Sequence, residues 1–190
     1  MRVIAGEARG RRLEALPGTD VTRPTLSQVK EAMFSIVQFD LPGARVLDLY
    51  AGSGALALEA LSRGAARAVL VDRDRAAHAV EKLNADRLGF ADRARILLCD
   101  WQQAVDGLQA AGEKFDLIFL DPPYAMGEMP HVTARLIPLL AEDALVVVEH
   151  EAAAPPETAP GYVLCDRRKY GYVGISFFQA EGASSLRGGA

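Results

Sequence analysis

The chain is poor in the residues that build disulfide frameworks and metal centres. In 190 residues it has two cysteines, three histidines and one tryptophan. Cys99 and Cys165 each sit in an apolar neighbourhood, which fits reduced core thiols better than a disulfide. His78, His131 and His150 are dispersed, with no Cys or carboxylate at ligand spacing, so no metal is expected. Long apolar runs are missing too. The first residues, MRVIAGEARGRRL, carry scattered charges and no continuous apolar core of a leader, and no stretch is long enough to span a bilayer, so a cytoplasmic protein is expected. No internal repeat is visible. A net charge of −4 excludes a uniformly basic nucleic-acid binder.

The charge is nevertheless unevenly spread. Residues 1–30 hold six basic residues (Arg2, Arg9, Arg11, Arg12, Arg23, Lys30) against three acids, a net of +3 that leaves −7 for the rest. A basic arm on an acidic body suits contact with phosphates, and equally suits a solvated terminus.

The rest of the chain is organised around residues 45–64, RVLDLYAGSGALALEALSRG. A β-favouring run with one acid, Asp48, stops at Ala51-Gly52-Ser53-Gly54, and an Ala/Leu helical pattern follows, with Leu56, Ala60 and Leu61 on its apolar face. Glycines permit tight turning and close approach of a ligand to the backbone, where the helix start presents its N–H groups. With Ala57 they give G-x-G-x-x-A, and a second apolar run, Ala68–Val71, ends in Asp72, about 20 residues on, where a ribose-binding acid belongs. This predicts a nucleoside ligand without choosing between NAD and S-adenosylmethionine.

Alternation continues downstream. A helix is expected over 75–88 ended by Gly89, a strand over 94–99 ending in Asp100, a helix over 101–110, and a strand over 115–120 running into Asp121-Pro122-Pro123-Tyr124. A helix over 132–140 and a strand over 144–148 follow. Tyr162–Cys165 and Val173–Phe178 are too close for a crossover helix, so they pair antiparallel around a loop at Asp166–Tyr172. The fold class is therefore α/β: a doubly wound, mostly parallel seven-stranded sheet with a terminal antiparallel hairpin. An N-terminal β-hairpin arm is expected before it, from Arg2–Ala5 and Arg12–Ala15 with arginines at the tip. Thr25-Leu26-Ser27-Gln28 reads as a capping box for a helix presenting Val29, Met33, Ile36 and Val37 to the core and closed by Pro42-Gly43. The expected organisation is a basic arm over 1–24, one domain over 25–181 and a disordered tail over 182–190.

The D-x-Y-A-G-S-G loop, D-P-P-Y after the fourth strand and a final antiparallel pair resemble the class I S-adenosylmethionine-dependent methyltransferases of base amines. RVIAGEARGRRL, RPTLSQVKEAMF, LDLYAGSGALALEALSRGA and DPPY, in that order over about residues 1–179, closely resemble the RsmD family, which methylates the N2 amine of one guanine in 16S ribosomal RNA. The resemblance implies S-adenosylmethionine as cofactor, with Ala51, Gly52, Ser53 and Gly54 along its methionine, Asp48 near its ammonium group, Asp72 on the ribose, Asp100 at the adenine amine and Trp101 over the adenine. It implies Asp121 and the Pro122 carbonyl as acceptors for the target amine, and Tyr124 as a stacking surface. Arg9, Arg11, Arg12, Arg23 and Lys30 are the expected RNA contacts, with Arg167-Arg168-Lys169 as the alternative. The partner implied is 16S ribosomal RNA within a small subunit or its assembly intermediate, met by a monomer. The rivals are a NAD-dependent oxidoreductase, an RNA-binding module without catalysis, and an enzyme for another RNA or DNA base amine.

Overall fold

The computed structural model describes residues 1–16, 24–122 and 128–183, with the backbone alone at 24–26. Helix α1 (Pro24–Ile36) begins with proline in its first turn, where the missing N–H costs nothing. The residues that would cap it, and the side chain of Thr25, lie outside the described residues, as does Arg23. Val29, Met33 and Val37 are buried as the periodicity predicts, joined by Phe34, while Ile36 is half-buried. The helix stops well before Pro42-Gly43.

Then come β1 (Arg45–Asp48), α2 (Ala55–Ser62), β2 (Arg67–Asp72), α3 (Arg75–Leu88), β3 (Ala94–Leu98), α4 (Trp101–Ala110), β4 (Phe115–Leu120), α5 (Met129–Leu136) with a 3-10 turn at Ile137–Leu139, β5 (Leu140–Glu151), β6 (Tyr162–Tyr170) and β7 (Val173–Ala180). The strands form one sheet in the order β3-β2-β1-β4-β5-β7-β6, parallel up to β5 and antiparallel at β7 and β6. The N-terminal segment and α1–α3 bury one face of it, α4 and α5 the other. Strand order reverses between β1 and β4, and the crevice at the carboxyl ends of those two strands is where an open sheet of this kind takes its ligand.

Three expectations change. The N-terminal β-hairpin arm is not a pair of strands: one antiparallel bridge, Arg2 to Arg12, closes a run of turns. The segment is packed down, with Val3, Ala8 and Leu13 in the core. Secondly, Asp166–Tyr172 is not a loop. β6 runs on to Tyr170 and the hairpin turns at Gly171 (φ 63°), so Arg167, Arg168 and Lys169 lie in an edge strand, where charge guards an unpaired edge. Thirdly, Cys99 and Cys165 are free but half-buried and not core thiols.

What packs the N-terminal segment down is Glu59, wholly buried on α2. Its Oε2 accepts from the Ile4 N–H (2.8 Å) and pairs with Lys30 (3.0 Å); Oε1 accepts from the Ala5 N–H and from Arg63 Nε. Burial alone would raise this carboxyl, yet those partners hold it below its ordinary range. Ser62 adds a hydroxyl that donates to the Ala5 carbonyl and accepts from the Ala8 N–H. Gly6, at φ 81°, presses so close that a Cβ would lie 1.7 Å from the Ser62 carbonyl oxygen.

Candidate active site

At the β1/β4 crevice the chain forms a cleft of about 190 Å³, walled by the glycine loop, Asp48 at the end of β1 and Tyr50 just after it, Met1, Lys30 and Met33 from the N-terminal side, Asp121 after β4 and Glu149 on β5. The loop is shaped by Asp72, whose Oδ2 accepts from the Gly52 N–H (3.0 Å) and whose Oδ1 accepts from the Asp74 N–H. Behind the loop, Asn84 on α3 donates to the Ser53 carbonyl (2.9 Å) and to the Glu14 carbonyl, tying loop to N-terminal segment.

The two loop glycines do different jobs. A Cβ on Gly54 (φ 77°) would lie 2.8 Å from Leu70 Cδ2 and 3.2 Å from Leu58 Cδ1, so this glycine lets the helix start pack against the core. At Gly52 (φ 56°) the nearest atom would be Leu16 Cδ1 at 4.0 Å. Gly52 is thus the one with open space before it. Leu56, expected on the apolar face, is only half-buried and lines the cleft, whereas Ala57 and Leu58 face the core.

Asp48 is 1% exposed. Its Oδ2 accepts from the Ala57 N–H in the first turn of α2 (3.3 Å), while Oδ1 has no protein partner. Burial, followed by the charges of Asp121 and Asp72, lifts its pKa to about 7. Asp121 is open on the cleft side but crowded by protein elsewhere, which lifts its pKa to about 6. Pro122 is buried; Pro123 and Tyr124 lie outside the described residues.

Other expected site residues have local structural partners. Asp100 caps α4, its Oδ1 accepting from the Gln103 N–H (2.8 Å). Trp101 is 6% exposed, with its ring edge-on to His131 at 5.5 Å. Ala51 is buried and donates its N–H to the Val71 carbonyl. Lys30, expected on RNA, is a correction: it is buried, paired with Glu59 and bonded to the Arg2 carbonyl, so its ammonium has no surface to offer a phosphate. Arg11 bonds the Arg87 carbonyl in the last turn of α3, while Arg9 and Arg12 are exposed.

Sequence reading missed two buried acids. Glu59 is masked by an Ala/Leu-rich helix. Glu81 on α3 is fully buried with neither oxygen bonded to protein, and burial, then Asp48 and Asp72, lifts it to about 8. Its helix carries an ordinary density of charges, so no local signal separates it from Asp86, which faces out.

The comparisons with known proteins agree with this geometry. A family profile described as "Conserved hypothetical protein 95" matches residues 1–179. The chain is 37% identical over 185 residues to the putative rRNA methyltransferase YlbH of Bacillus subtilis, covering 96% of this chain and 100% of the relative. It is 36% identical to ribosomal RNA small subunit methyltransferase D of Escherichia coli K12, covering 95% and 90%. It belongs to the RsmD family. The solved structure of the putative methyltransferase yhhF from Escherichia coli superposes with a TM-score of 0.81 at 33% identity, over 96% of this chain and 98% of that one.

Membership of that family makes S-adenosylmethionine the cofactor, and the cleft fits it. A dinucleotide would bring a pyrophosphate to the start of α2, but there Asp48 already accepts the Ala57 N–H, and Asp121 and Glu149 add further acidic groups to the cleft. The same acids complement a cofactor carrying an ammonium and a sulfonium, and the unbonded Asp48 Oδ1 offers an acceptor. The open face of Gly52 allows close approach to the backbone. Among the described residues no group of three or more His, Cys, Asp or Glu could hold a metal ion, and no helix is long and apolar enough to cross a membrane.

Proposed function

We propose that this protein methylates the exocyclic N2 amine of a guanine in 16S ribosomal RNA, working as a monomer in the cytoplasm on the small subunit or its assembly intermediate. The observation that carries this reading is Asp121-Pro122 at the end of β4, across one cleft from Asp48 and Gly52.

S-adenosylmethionine, when bound, supplies an electrophilic methyl group. Asp48 holds the ammonium, Gly52, Ser53, Gly54 and Ala51 shape the methionine side, Asp72 keeps lone pairs for the ribose hydroxyls beyond its two loop bonds, and Asp100 and Trp101 take the adenine. The guanine amine is a weak nucleophile because its lone pair is delocalised into the ring. Asp121 and the Pro122 carbonyl accept its hydrogens, turn the nitrogen towards the methyl group and give its departing proton a destination. Proline fixes φ and supplies no N–H, so this turn holds its oxygens in one direction. Orientation of this kind can be worth roughly 7–11 kcal/mol. Tyr124 is assigned as the surface on which the extruded base stacks.

The test is single-turnover transfer with Asp121→Ala. The rate should fall by about 10²–10⁴, with S-adenosylhomocysteine affinity and thermal stability kept, and Asp121→Asn should be milder because it retains one acceptor oxygen. A rate near wild type in Asp121→Ala would remove the assignment.

A further inference from the structure

We propose that the β6–β7 hairpin is the element that holds the phosphate backbone of the substrate RNA beside the target base, through Arg168 and Lys169. The inference rests on the RNA methylation reading above and adds to it where the nucleic acid lies.

Register places the hairpin. On β5, Glu149 stands opposite Ile175 of β7, and Ile175 stands opposite Arg168 of β6; His150, Gly174 and Lys169 form the next row. Glu149 is part of the cleft wall, and Asp121 follows the Leu120–Val148 pair on the neighbouring strand. With strands about 4.8 Å apart, the Arg168 backbone lies about 10 Å from that of Glu149 and about 14 Å from that of Asp121. Arg168 shares the sheet face of Glu149, and at that distance its long side chain reaches nucleotides flanking a base held at Asp121, while Lys169 leaves the opposite face at the same rim.

Chemistry agrees with the placement. Arg167, Arg168 and Lys169 are all exposed, in a chain whose net charge is −4. Arg168 is steadied through Nε by Asp166 (2.9 Å), which leaves its terminal nitrogens for a ligand, and Lys169 has no partner among the described residues. Arg167 is different: its Nε bonds Ser176 Oγ, which also bonds the buried His150 ring, so it serves the sheet. The turn is rigid. Gly171 takes the left-handed conformation, Val173 is buried, and the Ala152 N–H bonds the Tyr172 carbonyl, fastening the tip to the end of β5. Tyr172, 48% exposed, adds an aromatic surface at the same tip.

The basic turn at the other terminus lies elsewhere. Its backbone binds Ser62, at the end of α2, and Arg11 binds the end of α3, both of which face the amino ends of the strands. At 1.5 Å per residue the 14-residue α3 separates Arg11 from the carboxyl edge by about 20 Å.

The test is the salt dependence of binding to small subunits lacking the modification, for wild type, Arg168→Ala/Lys169→Ala and Arg9→Ala/Arg11→Ala, with S-adenosylhomocysteine affinity measured in parallel. Each lost phosphate contact should reduce the slope of log affinity against log salt by roughly 0.7–0.9, so the hairpin pair should lose about 1.4–1.8 with cofactor affinity unchanged. The arginine-turn pair should keep the wild-type slope. If wild type binds and methylates subunits but the hairpin variant keeps its slope, this inference alone fails; a charge-reversed Arg168→Glu/Lys169→Glu protein that still binds as wild type would say the same. If wild type binds cofactor but methylates no RNA, the functional reading falls and the inference with it.

Discussion

The two basic segments, Arg9-Gly10-Arg11-Arg12 and Arg167-Arg168-Lys169, look alike in sequence and stand at opposite ends of the sheet. The first is folded against the ends of α2 and α3 by Glu59, Ser62 and the Arg87 carbonyl. The second continues an edge strand up to the rim where Asp121 and Glu149 sit. Density of charge says that a segment is solvated, and only pairing register says what it faces. Arg9 and Arg11 sit on the stretch fastened to the ends of α2 and α3, while the N-terminal segment also reaches the cleft through Met1 and the Glu14–Asn84–Ser53 link.

Breaking the anchor should give the largest effect. Glu59→Ala leaves Lys30 and Arg63 without their buried counter-ion and should cost roughly 3–5 kcal/mol, seen as a melting temperature lower by on the order of 10 °C. Gly6→Ala should act in the same direction, since its Cβ would strike the Ser62 carbonyl. A melting temperature within a degree or two of wild type for both would mean that the segment is not anchored this way.

The glycines sharpen the contrast between packing and binding. Gly54→Val should lower the melting temperature, because its side chain would enter the Leu70–Leu58 contact. Gly52→Val should lower S-adenosylhomocysteine affinity at least tenfold by calorimetry with a smaller loss of stability. Should the two variants exchange these signatures, the open face of the loop has been misassigned.

A smaller effect comes from pH. Asp48 has a folded pKa raised from 3.8 to about 7, so between those values the folded protein keeps a proton that the unfolded chain has released. Stability of the cofactor-free protein should therefore fall as pH rises through that window. Glu81, raised from 4.5 to about 8, contributes with the same sign. Affinity for S-adenosylhomocysteine should move the other way, strengthening as pH rises through about 7, because its ammonium needs the Asp48 carboxylate. Asp48→Asn should bind more weakly and lose most of this dependence; a wild-type affinity that is flat across neutral pH contradicts the pairing.

Much of this was legible because local and global signals agree. The bounds of α3, α4 and β4 coincide with the periodicity, with Gly89 closing α3 as expected, and the strand–glycine–helix unit announced the crevice. What was illegible depends on distant partners. Glu59 reads as one charge in an Ala/Leu helix, and nothing nearby says that Ile4, Ala5 and Lys30 converge on it. Lys30 looked like surface for the same reason. Gly52 and Gly54 looked alike because spacing cannot tell which way an absent Cβ would point. The polar run Asp166–Tyr172 imitates a loop because an edge strand is as hydrophilic as a turn. Arg23, an expected RNA contact, and Tyr124, the expected stacking surface, lie outside the described residues.

The most direct test of the carboxyl rim as an RNA methylation site is transfer of tritiated methyl into small subunits lacking the modification, followed by digestion to nucleosides. Label should appear in 16S RNA as N2-methylguanosine for the wild-type protein. Label in a methylated adenosine, or in protein, or none with cofactor bound, would contradict the account.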